Sequence, residues 1–235
     1  MSTTSQMLRQ VTPEALDSLG ADDPAAQRSR RDLRRLHVAM RTLSIMTRAI
    51  GAEPNCSPLR ILELGAGDGS LALRFANRHA SQWPRVSWTL LDRQDTVAES
   101  TLESLRATGW EPIVVVADVF DWLSRNQQCA WDIVVANLFV HHFDGEELRH
   151  LLRAVSGVTP LFFCCEPRRN TTALIGSHLV GLIGAGPVTR KDAVLSVHAG
   201  FRDRELSAHW PSQEGWSLRE YSAGLFSHCL LARKT

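Results

Sequence analysis

The residues of this chain best placed to do chemistry are acidic side chains at the ends of three apolar runs and a glycine-rich turn after the first run. That turn reads Glu63-Leu64-Gly65-Ala66-Gly67-Asp68-Gly69-Ser70. Glycines at 65, 67 and 69 let the backbone turn sharply and bring amide groups close to a ligand. Glu63 and Asp68 bracket the turn with negative charge, which suits a cationic ligand and opposes a pyrophosphate. The next run ends in Leu90-Leu91-Asp92. It lies about 20 residues further on, where a carboxylate can accept both hydroxyls of a ribose. A third run ends in Ala117-Asp118-Val119-Phe120, and a short acid among apolar neighbours suits an adenine. Together these groups describe a pocket for a phosphate-free adenosine that carries positive charge. A dinucleotide fingerprint would need glycine at position 70, which is Ser70. A phosphate loop would need a Gly-Lys pair, and the lysines are Lys191 and Lys234.

Further groups follow the fourth and fifth runs. His141 and His142 lie just beyond Asp132–Ala136 and are the candidates for a general base, because an unperturbed imidazole titrates near neutral pH. Glu166, Arg168 and Arg169 follow Leu161–Cys165 at the same rim. Glu166 is a candidate to accept a substrate hydrogen bond, and the arginines are candidates to bind a carboxylate or phenolate. His178 lies on an apolar segment that could cover the pocket. No metal-ligand spacing stands out.

These groups have to be positioned by alternating strands and helices. Apolar runs at Arg60–Leu64, Val86–Leu91, Ile113–Ala117, Asp132–Ala136 and Leu161–Cys165 alternate with helical patterns near Ser70, at Thr96–Ala107 and from Asp144. That order specifies a parallel sheet with right-handed crossovers, whose ligands sit beyond the carboxyl ends of the strands. Asp144 with Glu147 reads as a capping box, and Gly157 as that helix's stop. Trp216–Tyr221 and Phe226–Ala232 flank Ser222-Ala223-Gly224, a hairpin that places an antiparallel strand at or near one end of the sheet. From Pro24 to Ile50 a helical stripe runs through Leu33, Leu36, Met40, Leu43 and Ile50. Arg30, Arg34, Arg41 and Arg48 lie beside it, and a solvated face is the simplest reading of them. Residues 1 to about 10 are polar and expected to fray, and Pro54–Pro58 reads as a linker. The expected division is a tail and helical cap at 1–57 and a main domain at 58–235, with residues 171–211 as a lid.

ELGAGDGS, the LLD strand end, ADVF and WDIVVANLFVHHF occur in the order of the motifs of class I S-adenosylmethionine-dependent methyltransferases, and the chain resembles that family from Leu59 to Glu166. The fold class the resemblance implies is α/β: a doubly wound, mostly parallel seven-stranded sheet, Rossmann-like, with its last strand antiparallel. It also implies S-adenosylmethionine as cofactor. On these positions it assigns Gly65 and Gly67 to the methionine portion, Asp92 to the ribose, and Asp118 with Val119 to the adenine, with Glu63, Ala66, Arg93 and Leu138 as further cofactor-binding candidates. Asn137 would lie under the cofactor beside the transferred methyl. The segment Gly186–Pro211 resembles bacterial small-molecule methyltransferases. The apolar lid favours a small aromatic or polyketide-like acceptor, methylated most readily at oxygen. The rival readings are a noncatalytic cofactor-binding partner of the same fold, and a nicotinamide-dependent oxidoreductase, which Ser70 and Glu63 disfavour.

Composition narrows the partners. Lys plus Arg is 26 against 25 for Asp plus Glu, net +1, so no strong whole-protein field exists to collect nucleic acid. Asn137-Leu138-Phe139 is not the Asn-Pro-Pro-aromatic sequence of enzymes that methylate planar amino groups. The five cysteines include no Cys-x-x-Cys pair, and their odd number points to a reducing, cytoplasmic setting. No apolar run is long enough for stable membrane insertion. The N-terminal helix offers a surface for a homodimer.

Overall fold

The computed structural model describes residues 7–51, 59–83 and 85–235. Cys56 and the Pro54–Pro58 linker lie outside them. Seven strands form one sheet: β1 (Leu59–Leu64), β2 (Val86–Asp92), β3 (Glu111–Val116), β4 (Ile133–Asn137), β5 (Leu161–Pro167), β6 (Trp216–Ala223) and β7 (Ser227–Lys234). Their order is β3-β2-β1-β4-β5-β7-β6. All run parallel except β7, which is antiparallel to both β5 and β6. This is the expected doubly wound sheet, and the order reverses between β1 and β4, where ligands bind in such sheets.

Alternation along each strand feeds two cores. In β1, Leu59 and Ile61 face one layer, with Phe75, Trp88 and Trp110, while Leu62 and Leu64 face the other, with Leu148, Leu151 and Phe201. The first layer is covered by α3 (Thr42–Ile50), α4 (Ser70–His79) and α5 (Glu99–Ala107). The second is covered by α6 (Val119–Arg125), α7 (Gly145–Val158) and α10 (Glu205–Ala208). Strands flanked by apolar cover on both faces read as near-continuous hydrophobic runs, and β5 is buried along its whole length. Cys164 and Cys165 are part of that packing.

Four local expectations are corrected. The helical stretch from Pro24 to Ile50 is two helices, α2 (Pro24–Ala39) and α3. Arg41 breaks it by taking a left-handed φ of 58°, so Ile45, Met46 and Ile50 turn onto the sheet while Leu33 and Leu36 stay with α2. Asp144 caps α7 through Gly145 N–H alone, and its carboxylate is shared with Arg9 at 2.7 Å rather than with an amide three residues on. Gly157 does not stop α7, which runs to Val158. Residues 7–10 are tied down: Arg9 donates to the carbonyls of Ala199, His141 and Phe143 and lies 4.3 Å over the Phe201 ring.

The lid is helical. It comprises α8 (Thr171–Leu179), a 3-10 turn at Val180–Ile183, α9 (Pro187–Ala199) and α10. It packs against α2 and the short α1 (Ala15–Ser18). Buried Asp32 of α2 accepts from Gly186 N–H and the Thr189 hydroxyl, fixing α2 to α9.

Candidate active site

The glycine turn is held by the neighbouring strand end. Gly65 and Ala66 donate their amides to Leu91 O, Gly67 N–H donates to Asp92 Oδ2 at 2.9 Å, and the Thr96 hydroxyl donates to Gly67 O. Asp92 Oδ1 accepts from Gln94 N–H. Each carboxylate oxygen of Asp92 retains a second lone pair, so two acceptor positions remain for a pair of hydroxyls. Gly65 has φ +68°, and a Cβ there would fall 2.3 Å from Phe139 Cδ2. A side chain is excluded at this point by space as well as by conformation.

Helix α2 lies over the glycine turn and the ends of β2 and β4. Arg34 reaches Asp68 at 3.4 Å, Arg30 reaches the Gln94 side chain and Ala21 O, and His37 Nε2 stands 3.1 Å from Asn137 Nδ2. The arginine ridge is therefore not simply a solvated face: two of its members cross to the glycine turn and to the loop after β2. Burial pushes the His37 imidazole down to about 4, so it is neutral near pH 7 and its Nε2 can accept the Asn137 amide N–H. Among the described residues, Asn137 Oδ1 is then left buried and without a partner. An orphaned buried acceptor is costly unless a ligand donor meets it. Next to it, Leu138 holds a left-handed φ of 52°, and backbone strain of this kind gathers at ligand sites.

The remaining cofactor assignments divide. Glu63 follows Ile61 onto the Trp88 face of β1 and is buried there, accepting the indole N–H at 2.9 Å. Burial outweighs that hydrogen bond and pushes its pKa up to about 8. The expectation that Glu63 lends negative charge to a cationic ligand is corrected: it is a neutral acid inside the core. Asp118 caps α6 through the amides of Phe120 and Asp121, and Val119 is buried beneath it. Arg93 is exposed beside Asp92.

The acceptor-side assignments change more. Glu166 is fully buried and lies away from any open rim. It accepts the backbone N–H groups of Phe139, Val140 and His141, and its Oε2 lies 2.7 Å from His141 Nδ1. Its work is to hold the turn after β4. His141 is buried with it. Its other nitrogen, Nε2, stands 3.3 Å from Glu14 Oε1. Burial lowers the His141 pKa, but the two carboxylates outweigh burial and bring it up to about 9. At neutral pH this ring is an imidazolium and is not a free base. His142 is half-buried, packs tilted against His141 with ring centroids 4.3 Å apart and lies 3.5 Å from Asp17. Burial and the adjacent imidazolium lower its pKa.

Arg168 is not part of the cavity wall described below, and Arg169 is buried in an ion pair with Glu205. His178 is exposed and does not reach the cavity.

Between α2, α8 and α9 lies a cavity of about 390 Å³. Leu33, Leu36, Met40, Val180, Val197 and Phe226 give it apolar walls. Glu14, hydrogen-bonded to the Ser196 hydroxyl, is a polar anchor in the wall. Leu138 also lines it, so the cavity wall begins one residue beyond Asn137. Glu14 and His37 carry no signal in the sequence. Glu14 sits in a polar tail far from the motifs, and His37 is one residue in a helical stripe. Glu14, His141 and His142 bring one donor atom each within 4.8 Å of one another, the only such group among the described residues. The hydrogen bond from His141 to Glu14 satisfies that nitrogen without a metal ion.

Residues 61–159, from β1 through α7, match the family model of a methyltransferase domain. No curated relative matches the sequence. Solved structures share the fold of this chain at low identity. An O-methyltransferase family protein from Burkholderia thailandensis superposes with a TM-score of 0.63 at 16% identity, over 92% of this chain and 61% of that one. The magnesium protoporphyrin IX methyltransferase of Synechocystis, solved with its methyl donor bound, gives 0.54 at 16%, over 94% and 88%. The mitomycin 7-O-methyltransferase gives 0.57 at 18%, over 94% and 60%. The chain thus spans about three fifths of the length of the Burkholderia and mitomycin proteins. No helix among its described residues is long and apolar enough to cross a membrane.

Proposed function

We propose that this protein is a class I methyltransferase that moves a methyl group from S-adenosylmethionine to a hydroxyl of a small, largely apolar aromatic or polyketide-like acceptor. One observation carries the reading: the apolar cavity is lined by Leu138, next to Asn137, whose buried Oδ1 has no partner among the described residues, so an acceptor in the cavity and a donor over the strand ends would touch there. When bound, S-adenosylmethionine supplies an electrophilic methyl on a sulfonium centre. Asp92 offers its two remaining acceptor positions to the ribose hydroxyls, and Asn137 Oδ1 takes a donor from the methionine portion. Asp118, which keeps one carboxylate oxygen clear of its cap, and Val119 border the adenine position.

On the acceptor side, Leu33, Leu36 and Met40 exclude water and orient the ring by shape. Glu14 receives the hydroxyl proton, directly or through Ser196. Burial raises the Glu14 pKa, but the hydrogen bond and charge of His141 outweigh it and keep the carboxylate ionised. The histidines expected to be bases act in this reading through Glu14: His141 positions it, and Glu166 positions His141. Alignment of oxygen and methyl supplies much of the rate, because a positioned pair avoids the entropic cost of encounter.

Calorimetry with S-adenosylhomocysteine beside NADH tests the cofactor. The expected outcome is binding of the first, weakened by about 1–3 kcal/mol in Asp92→Ala, where two hydroxyls lose a charged acceptor. Binding of NADH alone would overturn the assignment. Labelled cofactor offered with a panel of phenols, hydroxyquinones and polyketide acids tests the acceptor, and label on oxygen is the expected product.

A further inference from the structure

The outer end of the lid carries an unusual surface. Leu182 is 83% exposed, Ile175 56%, Leu179 51% and Ile183 45%. Leu179, Leu182 and Ile183 also line the acceptor cavity, so this apolar patch is the cavity's own mouth. Guanidinium groups surround it. A Cβ on Gly181 would lie 3.2 Å from Arg190 Nε, one on Gly186 2.8 Å from Arg28 Nε, and one on Gly184 3.6 Å from an Arg35 terminal nitrogen. Among the described residues neither the Arg28 nor the Arg190 guanidinium has a hydrogen-bond or ion-pair partner, whereas that of Arg35 shares Asp32. Lys191 is exposed beside Arg190, and Val38 is exposed one helical turn beyond Arg35.

We infer that this mouth docks on an anionic lipid surface, with the apolar side chains entering the boundary between headgroups and acyl chains and the arginines pairing with lipid phosphates. Charge and shape decide the occupant. The apolar residues sit at an exposed turn with unpaired cations beside them, the arrangement that lies in a membrane interface. Each cation near an anionic bilayer adds roughly fivefold to the partition coefficient. The net charge is only +1, so this attraction belongs to the patch and not to the whole chain. A second copy of the chain would bring the same cations against each other. Docking in this orientation opens the cavity to the bilayer, so an apolar acceptor could enter without crossing water. The inference goes beyond the proposed reaction, and its test needs neither donor nor acceptor.

The test is flotation of the full chain with vesicles of phosphatidylcholine and with vesicles that also contain phosphatidylglycerol, at low and high salt. The expected result is binding to the anionic vesicles, weakened by salt and lowered at least about tenfold in Leu182→Ser and several-fold in Arg190→Ser. Both positions are exposed, and thermal melting of each variant checks that it folds. Absence of binding to anionic vesicles, equal binding to both vesicle types, or binding that neither substitution changes would each overturn the inference. So would sedimentation equilibrium showing a dimer that Leu182→Ser disperses, since the patch would then be covered by a second copy.

Discussion

His141 Nδ1 lies 2.7 Å from Glu166 Oε2, and both side chains are buried. A carboxylate on the opposite ring nitrogen, Glu14, completes a row of two acids about one imidazole. Removing one member of a buried pair leaves an uncompensated charge, which costs about 3–5 kcal/mol. The row ties the N-terminal segment to the turn after β4, so stability and the acceptor site share these residues.

Stability should therefore depend on pH through His141. Its pKa is 6.5 as a free side chain and about 9 in the fold, so the folded state retains a proton that the unfolded chain releases. The contribution is full below about 6.5 and is lost as pH rises through about 9. Melting temperatures measured across that window should fall as pH rises. In His141→Gln this component of the slope should vanish, with a lower melting temperature at the acid end. An undiminished slope in the variant would remove His141 from the account.

Glu14→Gln keeps the shape of the cavity wall and a hydrogen-bonding group for Ser196, but it cannot take a proton. Turnover on a phenolic acceptor should drop by about a hundredfold, the usual scale for a lost general base. Calorimetric affinity for S-adenosylhomocysteine should be unchanged. A loss of cofactor affinity with normal turnover would place Glu14 in the wrong half of the site.

Two glycines of the same turn should respond differently to alanine. At Gly67, φ is +54° and the space for a Cβ is open, so only the left-handed strain of about 1–2 kcal/mol applies. At Gly65 the added methyl meets the Phe139 ring, so overpacking of about 1–3 kcal/mol adds to the strain. Denaturant titration should rank Gly65→Ala as the less stable, and it should also lose more cofactor affinity because Phe139 follows Leu138. Equal behaviour of the two variants would contradict this geometry.

Glu63→Gln should stabilise the protein at neutral pH. The wild-type acid is forced by burial to keep its proton up to about pH 8, against 4.5 in the unfolded chain. Folding stability from this group is thus complete below about 4.5 and declines as pH rises through 8. Glutamine still accepts the Trp88 indole N–H and has no proton to lose. The variant should gain about 1–3 kcal/mol at pH 7 and converge on wild type near pH 4, as read by denaturant melts at the two pH values.

Much was already written in the chain itself. The alternation of β-branched runs with helical stripes determined the doubly wound sheet, because strand and helix periods cannot exchange. The spacing of Gly65, Gly67 and Asp92 placed turn and carboxylate at adjacent strand ends, since the motif is local to two consecutive βα units. The direction in which Glu63 points was within reach too, because period-two alternation sends it to the face of Ile61. What only tertiary structure decided is whatever depends on residues distant in sequence. Glu14 meets His141 across 127 positions, and His37 meets Asn137 across 100. Neither has a local pattern, and each acquires its charge state from burial and from partners brought by other elements. The same packing removed Glu166 and Arg169 from the substrate list, because a strand end reads as a rim until the lid and the N-terminal segment close over it.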